Sequence, residues 1–255
     1  MDCVGYWSVY FCSLEQFAGE VEAIPGTPII GTLNEKPLHE ALKRWYTRPG
    51  DLSEVPVDGF VADIVRGHDG LIIEIQTKNF SSIKRKLEAL LISHPVRLVY
   101  PIPHVKWIVK IADDGSGPVS RRKSPRHGTF EDIFYELVRL PGLLENPSFS
   151  MELLLIEEEE VRRHDGVRGW RRKGWVTEER RLLRVIDSRI LRSPADLDAF
   201  IPAALAEPFS VSELAAAASI SRTLAGKMVY CMRRMGCVAP AGKRANAILY
   251  ARRAT

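Results

Sequence analysis

Two acidic residues lie inside short apolar segments that have the pattern of β-strands. Asp63 lies within the segment 60–66 and Glu74 within the segment 71–77. A charged carboxylate is costly to bury among apolar side chains unless a cation or hydrogen bonds compensate it. Divalent cations such as Mg²⁺ prefer oxygen ligands and keep positions open for water and phosphate oxygens. The pattern therefore predicts a divalent-cation site, and two satisfied polar groups at a sheet edge are the alternative.

The elements that must position these acids are two strands joined by a tight turn. Phe60–Arg66 and Leu71–Thr77 flank Asp69-Gly70, which is typical of a β-hairpin. Pairing across this turn brings Asp63 towards Glu74. Because strand residues alternate between faces, Gln76 and Lys78 are expected on the same face as Glu74.

The segments Gly59–Asp63 and Ile72–Gln76 resemble the PD-(D/E)xK nuclease superfamily, in the variant that has E-x-Q where most members have E-x-K. The resemblance implies a hydrolase that cleaves phosphodiester bonds with Mg²⁺, or with Mn²⁺ in its place. It also implies that Asp63, Glu74 and the carbonyl of Ile75 bind the metal. Glu40 lies where many members carry another metal-binding acid, and would assist through a second metal or a bound water.

Gln76 departs from the usual pattern of the superfamily. The lysine normally found at this position orients the attacking water and neutralises developing charge, whereas glutamine can only form hydrogen bonds. Lys78, or Lys84 and Lys86 on the following segment, can supply a positive charge instead. A weak or inactive member of the superfamily stays open as an alternative.

The surrounding elements define a predicted nuclease core over residues 33–111. The sequence predicts a helix that Asn34 caps and that ends at Pro49-Gly50-Asp51, followed by the hairpin, a second helix and two more strands. The last three elements are Phe80–Ser93, Arg97–Ile102 and Trp107–Ile111. This order predicts the α/β class and, through the resemblance, a restriction endonuclease-like α/β sandwich with a mixed central sheet.

Residues 112–193 are expected to form a basic linker and an α/β extension. The expected elements are a basic loop over 113–128, the helix Phe130–Leu140, the strand Met151–Ile156, a solvated acidic edge at Glu157–Glu160 and the basic helix Arg180–Ile190. Between Trp170 and Trp175, the cations Arg171, Arg172 and Lys173 are candidates for binding nucleic acid, since arginine grips phosphate and tryptophan stacks on bases. A surface turn anchored by two buried tryptophans is the alternative.

Residues 194–255 are predicted to form a separate α+β domain that resembles a winged helix-turn-helix. Ser210 or Ser212 can cap a first helix, Arg222–Met235 forms a second, and Ala247–Tyr250 returns as a strand. The resemblance implies that the second helix enters a major groove of DNA. The implied contacts are Ser221, Arg222, Thr223 and Lys227 on the helix, with Lys243 and Arg244 at the wing tip. Such domains also dock proteins, which is the alternative.

Composition sets the remaining expectations. The 255 residues carry a net charge of only +4, yet the stretch 162–192 is markedly basic, which suits a polyanionic partner. The four cysteines do not have the spacing of a zinc site, and no apolar run is long enough to span a membrane. Residues 1–32 are expected to be a flexible leader, and the protein is expected to be cytoplasmic.

Together these features predict a DNA-directed, Mg²⁺-dependent endonuclease. A non-catalytic DNA-binding regulator on the same scaffold, an RNA-directed nuclease and a protein-binding adaptor are the alternatives. A homodimer also stays open.

Overall fold

The protein is described by a computed structural model that covers residues 37–112, 118–164 and 174–253. Its centre is a mixed sheet of seven strands in the order β1-β2-β3-β4-β6-β7, with β5 paired to β4. The strands are β1 (Leu52–Val57), β2 (Phe60–Val65), β3 (Ile72–Ile75), β4 (Val96–Ile111), β5 (Pro118–Lys123), β6 (Phe149–His164) and β7 (Trp175–Leu191). Strands β3, β4 and β6 run parallel to one another, and the other pairs are antiparallel. The predicted α/β class is confirmed.

Alternating side chains give this sheet two apolar faces. Helix α1 (Pro37–Tyr46) packs Leu38 and Leu42 on one face, against strand residues such as Ile73 and Leu154. The neighbouring strand residues point to the other face and belong to a larger core. That core also contains side chains from helix α2 (Lys84–Leu90), from helix α3 (Phe134–Leu137) and from the C-terminal residues.

The C-terminal residues contain a second, three-stranded antiparallel sheet, β8-β10-β9. Its elements are β8 (Phe209–Ser210), α4 (Val211–Ala217), α5 (Arg222–Arg234), β9 (Val238–Arg244) and β10 (Ala247–Arg252). Ser210 caps α4 by accepting a hydrogen bond from the Glu213 backbone N–H, and Ser221 caps α5 in the same way from Leu224. The predicted order of two helices and a returning strand is confirmed, with Ser210 as the first cap.

The strand β4 corrects one prediction made from the sequence. The two strands expected at Arg97–Ile102 and Trp107–Ile111 form one strand of 16 residues. Proline cannot donate to a strand ladder, but a register shift between Pro103 and Val105 accommodates the interruption. The prediction also missed β1, and it placed the strand β5 in a basic loop.

Helical predictions were also too long or wrong in three places. The helix expected at Phe80–Ser93 is a 3₁₀ turn, Phe80–Ser82, followed by α2. The helix expected at Phe130–Leu140 is another 3₁₀ turn, Phe130–Ile133, followed by α3. The basic helix expected at Arg180–Ile190 is part of β7, which pairs with β6 from Leu191 to Trp175. Tertiary pairing overrides the helical propensity of its arginines and leucines.

The acidic run Glu157–Glu160 was predicted as a solvated edge, and this is wrong. It lies inside β6, where Glu158 is fully buried and Glu160 is 5% exposed. The Glu158 carboxylate accepts hydrogen bonds from Nε and Nη2 of Arg180, at 2.9 and 2.6 Å, and lies 3.0 Å from Nζ of Lys106. The run is therefore an ion-pair ladder that cross-links β4, β6 and β7.

Other predictions from the sequence fall on residues outside the part of the chain that the structure describes. They are the leader 1–32, the cap at Asn34 and the cations Arg171, Arg172 and Lys173. In the part of the chain that the structure describes, no helix combines the length and the apolar character needed to cross a membrane.

The ladder predicts a difference between two neighbouring arginines. We expect Arg180→Met to lower the free energy of unfolding by roughly 2–4 kcal/mol, because it leaves the buried Glu158 carboxylate with one cation fewer. Arg181→Met removes a half-exposed pair with Glu179 and should cost less than about 1 kcal/mol. Urea denaturation of both variants measures the two values, and equal losses would contradict a buried ladder.

Candidate active site

The hairpin of β2 and β3 brings the two predicted acids together. Ile64 pairs with Ile73, so Asp63 and Glu74 take the next positions on the two strands. The backbone N–H of Asp63 donates to Oε1 of Glu74 at 3.3 Å, and the N–H of Ile75 donates to Oδ2 of Asp63 at 2.8 Å. Each carboxylate is thus tied to the backbone of the other strand.

Lys86 places a positive charge in direct contact with Glu74. It lies on α2, and its ammonium group donates to Oε2 of Glu74 and, at 2.6 Å, to the carbonyl oxygen of Val61. Its side chain is only 17% exposed. Of the lysines that could stand in for the missing lysine at position 76, Lys86 is the one in contact with Glu74. Lys84 instead pairs with Glu88 on the outer side of the helix.

His39 is a member of the site that the sequence analysis missed. It lies on α1, and its Nε2 is 3.2 Å from Oδ2 of Asp63. The only sequence signal was a polar residue in the first turn of a helix predicted to cover the sheet. With Lys86 on one side and His39 on the other, each carboxylate has a basic neighbour from a different helix.

The carboxyl groups of Asp63 and Glu74 have different pKa values, because burial, charge repulsion and hydrogen bonds act on them unequally. Burial, and next the charge of Asp63, raise the pKa of Glu74 to about 7, although Lys86 acts in the opposite direction. Burial would also raise the pKa of Asp63, but hydrogen bonds from His39 and the Ile75 N–H and the charge of Lys86 lower it overall. Asp63 is therefore the charged partner, and the carboxyl of Glu74 gains or loses its proton near neutral pH.

These groups open into a pocket of about 370 Å³. Its lining includes His39, Asp63, Glu74, Ile75, Gln76, Arg85 and Lys86. The volume and the convergence of charged groups are those of a ligand site.

Gln76 lies in this pocket, but its amide group is turned towards the loop that follows β3. The Nε2 group donates to the carbonyl of Asn79 at 3.2 Å and to Oγ of Ser82 at 3.1 Å. It also donates to the carbonyl of Lys78. Gln76 therefore braces the loop that leads into α2, the helix that carries Lys86.

Two other predicted site residues do not line the pocket. Glu40 forms ion pairs with Lys43 and Arg44 on its own helix, at 3.3 and 3.4 Å. Lys78 is exposed on the loop after β3. Within the described ranges, no group of three or more His, Cys, Asp or Glu side chains is arranged to hold a metal ion. The candidate donors are therefore Asp63, Glu74 and the predicted Ile75 carbonyl.

The predicted nucleic-acid contacts lie at the start of α5 and on β9. Ser221, Arg222 and Thr223 are exposed, and Nζ of Lys227 lies 5.9 Å from the ring centre of Tyr135. Lys243 and Arg244 are also exposed, and Arg244 pairs with Glu213 at 2.7 Å. Their role in binding nucleic acid stays a prediction.

Comparison with known proteins places the chain among relatives without an assigned activity. A family model described as a domain of unknown function, DUF8091, matches residues 36–192. An uncharacterized protein of Treponema pallidum (strain Nichols) is 33% identical over 227 residues, which cover 87% of this chain and 86% of that protein. No solved structure matches the chain.

The raised pKa of Glu74 predicts how stability depends on pH in the presence of EDTA. Between the ordinary value of 4.5 and about 7, the folded state binds more protons than the unfolded state. The free energy of unfolding should therefore fall as pH rises through this window, by on the order of 1–3 kcal/mol. Glu74→Gln removes the titrating group, and its urea midpoints should lack that part of the fall.

The matched control is Glu88→Gln, on the exposed side of α2. It should keep the pH dependence of the native chain, whose other titrating groups it shares. Parallel curves for the native chain and Glu74→Gln would contradict the raised pKa.

Proposed function

The chain belongs to the DUF8091 family, and from its site we propose that it is a metal-dependent nuclease that hydrolyses phosphodiester bonds in DNA. In this proposal the mixed sheet and its helices form a restriction endonuclease-like core, and the C-terminal helices and hairpin act as a winged helix that engages DNA. The observation that carries the proposal is the meeting of Asp63, Glu74 and Lys86 in one pocket.

The free-energy cost of burying the Glu74 carboxylate beside Asp63 favours a bound cation. Glu74 is 1% exposed and lies beside a second carboxylate, so its charged form is disfavoured by burial and by repulsion. One lysine offsets only part of this cost. A divalent cation between the two carboxylates would remove the repulsion and favour the deprotonated form of Glu74.

The donor set fits Mg²⁺ or Mn²⁺ better than a softer metal. Asp63, Glu74 and the carbonyl of Ile75 offer only oxygen, and Mg²⁺ is commonly held by one or two carboxylates together with water and substrate phosphate. When bound, such a metal supplies Lewis-acid polarisation of the scissile phosphate.

The chain's own residues have separate roles in this proposal. An ammonium group carries three N–H donors, and the contacts with Glu74 and Val61 use two of those on Lys86. The third can point into the pocket towards a phosphate oxygen or a water. His39 holds the Asp63 carboxylate in place through Oδ2.

The C-terminal residues support DNA as the polymer. Arg222 and Thr223 are exposed in the first turn of α5, and Lys243 is exposed on the β9–β10 hairpin. In a winged helix these positions reach the groove and the backbone phosphates. RNA is the alternative substrate, and the choice of polymer in the assay separates the two.

A non-catalytic DNA-binding regulator is the second candidate. The observation in its favour is that Gln76 braces a loop and Glu40 pairs with its own helix, so two carboxylates remain for the metal. A regulator would bind DNA without any need for Asp63 or Glu74.

Cleavage of DNA tests the proposed activity. We expect the native chain to cleave supercoiled or linear DNA with Mg²⁺ or Mn²⁺ and not with EDTA. Asp63→Asn and Glu74→Gln should each lower the rate by at least about a hundredfold, because each removes a charged metal ligand. Lys86→Met should lower it by about a hundredfold through loss of charge stabilisation.

The controls are chosen on the same helix. Lys84→Met and Glu88→Gln remove an exposed pair and should leave the rate unchanged. The double variant Gln76→Lys/Lys86→Met should recover part of the lost activity if a lysine at position 76 serves the same site. Absence of cleavage in the native chain under every metal condition, with DNA binding intact, would favour the regulator.

DNA affinity in EDTA tests the C-terminal surface separately. We expect Arg222→Gln and Lys243→Gln each to weaken binding and to reduce the slope of log K against log salt by about 1, because each removes one phosphate contact. Arg234→Gln, at the far end of α5, is the matched control. Equal effects of all three substitutions would count against a winged-helix contact.

A further inference from the structure

A second pocket, of about 620 Å³, lies on the larger core face of the sheet. Its floor comes from β4 and β6, through residues such as Lys106 and Arg162. Its wall is the segment 124–135, through Arg126 and Tyr135. Among the residues that the structure describes, none lines both this pocket and the one that holds Asp63 and Glu74.

The floor is a set of fixed, paired charges. Lys106 donates to Glu160 at 2.9 Å, and Nε of Arg162 donates to the other oxygen of the same carboxylate at 2.8 Å. Burial would raise the pKa of Glu160, but these two cations lower it to about 2, so the carboxylate is ionised at neutral pH. The floor therefore offers N–H donors that are already held in place.

Arg126, at the rim of the pocket, is an exposed cation in a weak ion pair. The side chain of Arg126 is 73% exposed, and its Nη2 lies 3.3 Å from both oxygens of Asp132. An exposed pair of this kind contributes little to stability. A phosphate group at the mouth of the pocket can therefore replace Asp132 as the partner of the Arg126 guanidinium at small cost in free energy. Arginine binds phosphate through two parallel hydrogen bonds.

The wall also presents an aromatic ring next to helix α5. The hydroxyl of Tyr135 lies 3.5 Å from Oγ of Ser221, and its ring faces Nζ of Lys227 at 5.9 Å. Tyr100 lines the same pocket and packs edge-on against Phe80. Aromatic side chains of this kind are platforms on which a nucleobase can stack.

The wall is held firmly against the sheet, so the pocket exists before any ligand binds. The N–H of Gly128 donates to the carbonyl of Pro103 at 2.9 Å, and Nδ1 of His104 lies 2.8 Å from the carbonyl oxygen of Gly128. A Cβ atom at Gly128 would lie only 2.7 Å from the Pro103 oxygen, so glycine permits this close approach.

We propose that this second pocket binds one nucleotide unit, with the base against Tyr135 and the phosphate on Arg126. The unit comes either from a free mononucleotide or from a strand held at the start of α5. A pocket of this size is ample for one nucleotide and is typical of small-ligand sites. The inference does not depend on cleavage, because none of these residues belongs to the proposed catalytic set.

Calorimetric titration of the full chain in EDTA tests whether the pocket binds a free mononucleotide. The ligands are dAMP, deoxyadenosine and inorganic phosphate, and the variants are Arg126→Gln and Tyr135→Leu. Arg122→Gln, exposed on β5, is the matched charge control. We expect dAMP to bind more tightly than either fragment, and about tenfold more weakly in the two pocket variants but not in the control.

A single-stranded oligonucleotide containing 2-aminopurine tests, under the same conditions, whether the pocket binds a nucleotide within a nucleic-acid strand. Binding of the oligonucleotide alone, with a fluorescence change that both pocket variants lose, supports the inference and assigns the unit to a strand. Inorganic phosphate binding as tightly as dAMP would overturn it, because the base would have no part. So would binding of dAMP and oligonucleotide that neither pocket variant alters. Thermal unfolding by circular dichroism confirms that each variant is folded.

Discussion

The charged state of Glu74 is the constraint on which the rest of the site depends. The Glu74 carboxylate is buried inside the sheet, and Asp63 lies opposite it on the β2–β3 hairpin. A hydrogen bond ties each carboxylate to the backbone of the other strand. Such a pair is tolerated only where cations or polar hydrogens surround it. The chain brings those groups from both faces of the sheet, His39 from α1 and Lys86 from α2. The helices therefore act on the site by charge as well as by covering the core.

The position of α2 is in turn fixed by contacts with two other parts of the chain. Gln76 holds the loop that precedes the helix, and the backbone N–H of Phe80 donates to Oε2 of Glu136 at 2.9 Å. The neighbouring residue, Tyr135, lies beside Ser221 at the start of α5. Helix α3 thus contacts both the loop behind the candidate active site and the helix proposed to read DNA.

Local chemistry explains which features the sequence could predict. The meeting of Asp63 with Glu74 follows from an Asp-Gly turn and strand alternation. The cap at Ser210 follows from a hydroxyl that accepts a hydrogen bond from the backbone N–H three residues further on. The strand β7 was not predictable in this way, because its arginines meet the acids of β6 only after the chain has folded back. Glu158 is likewise buried by partners on other strands, Lys106 and Arg180, and no neighbouring residue signals this.

The role of Lys86 was predictable from the sequence only in part. The sequence offered Lys78, Lys84 and Lys86, and charge alone could not choose among them. The choice is geometric, because the first turn after the loop is a 3₁₀ turn and α2 begins only at Lys84. That start turns Lys84 outwards to Glu88 and Lys86 inwards to Glu74. In the proposed enzyme, Lys86 supplies the charge that a strand lysine would supply, and the Gln76 amide holds the loop that leads to the helix carrying Lys86. A glutamine at position 76 is then compatible with the proposed activity, because Lys86 on α2 places a positive charge in the same pocket.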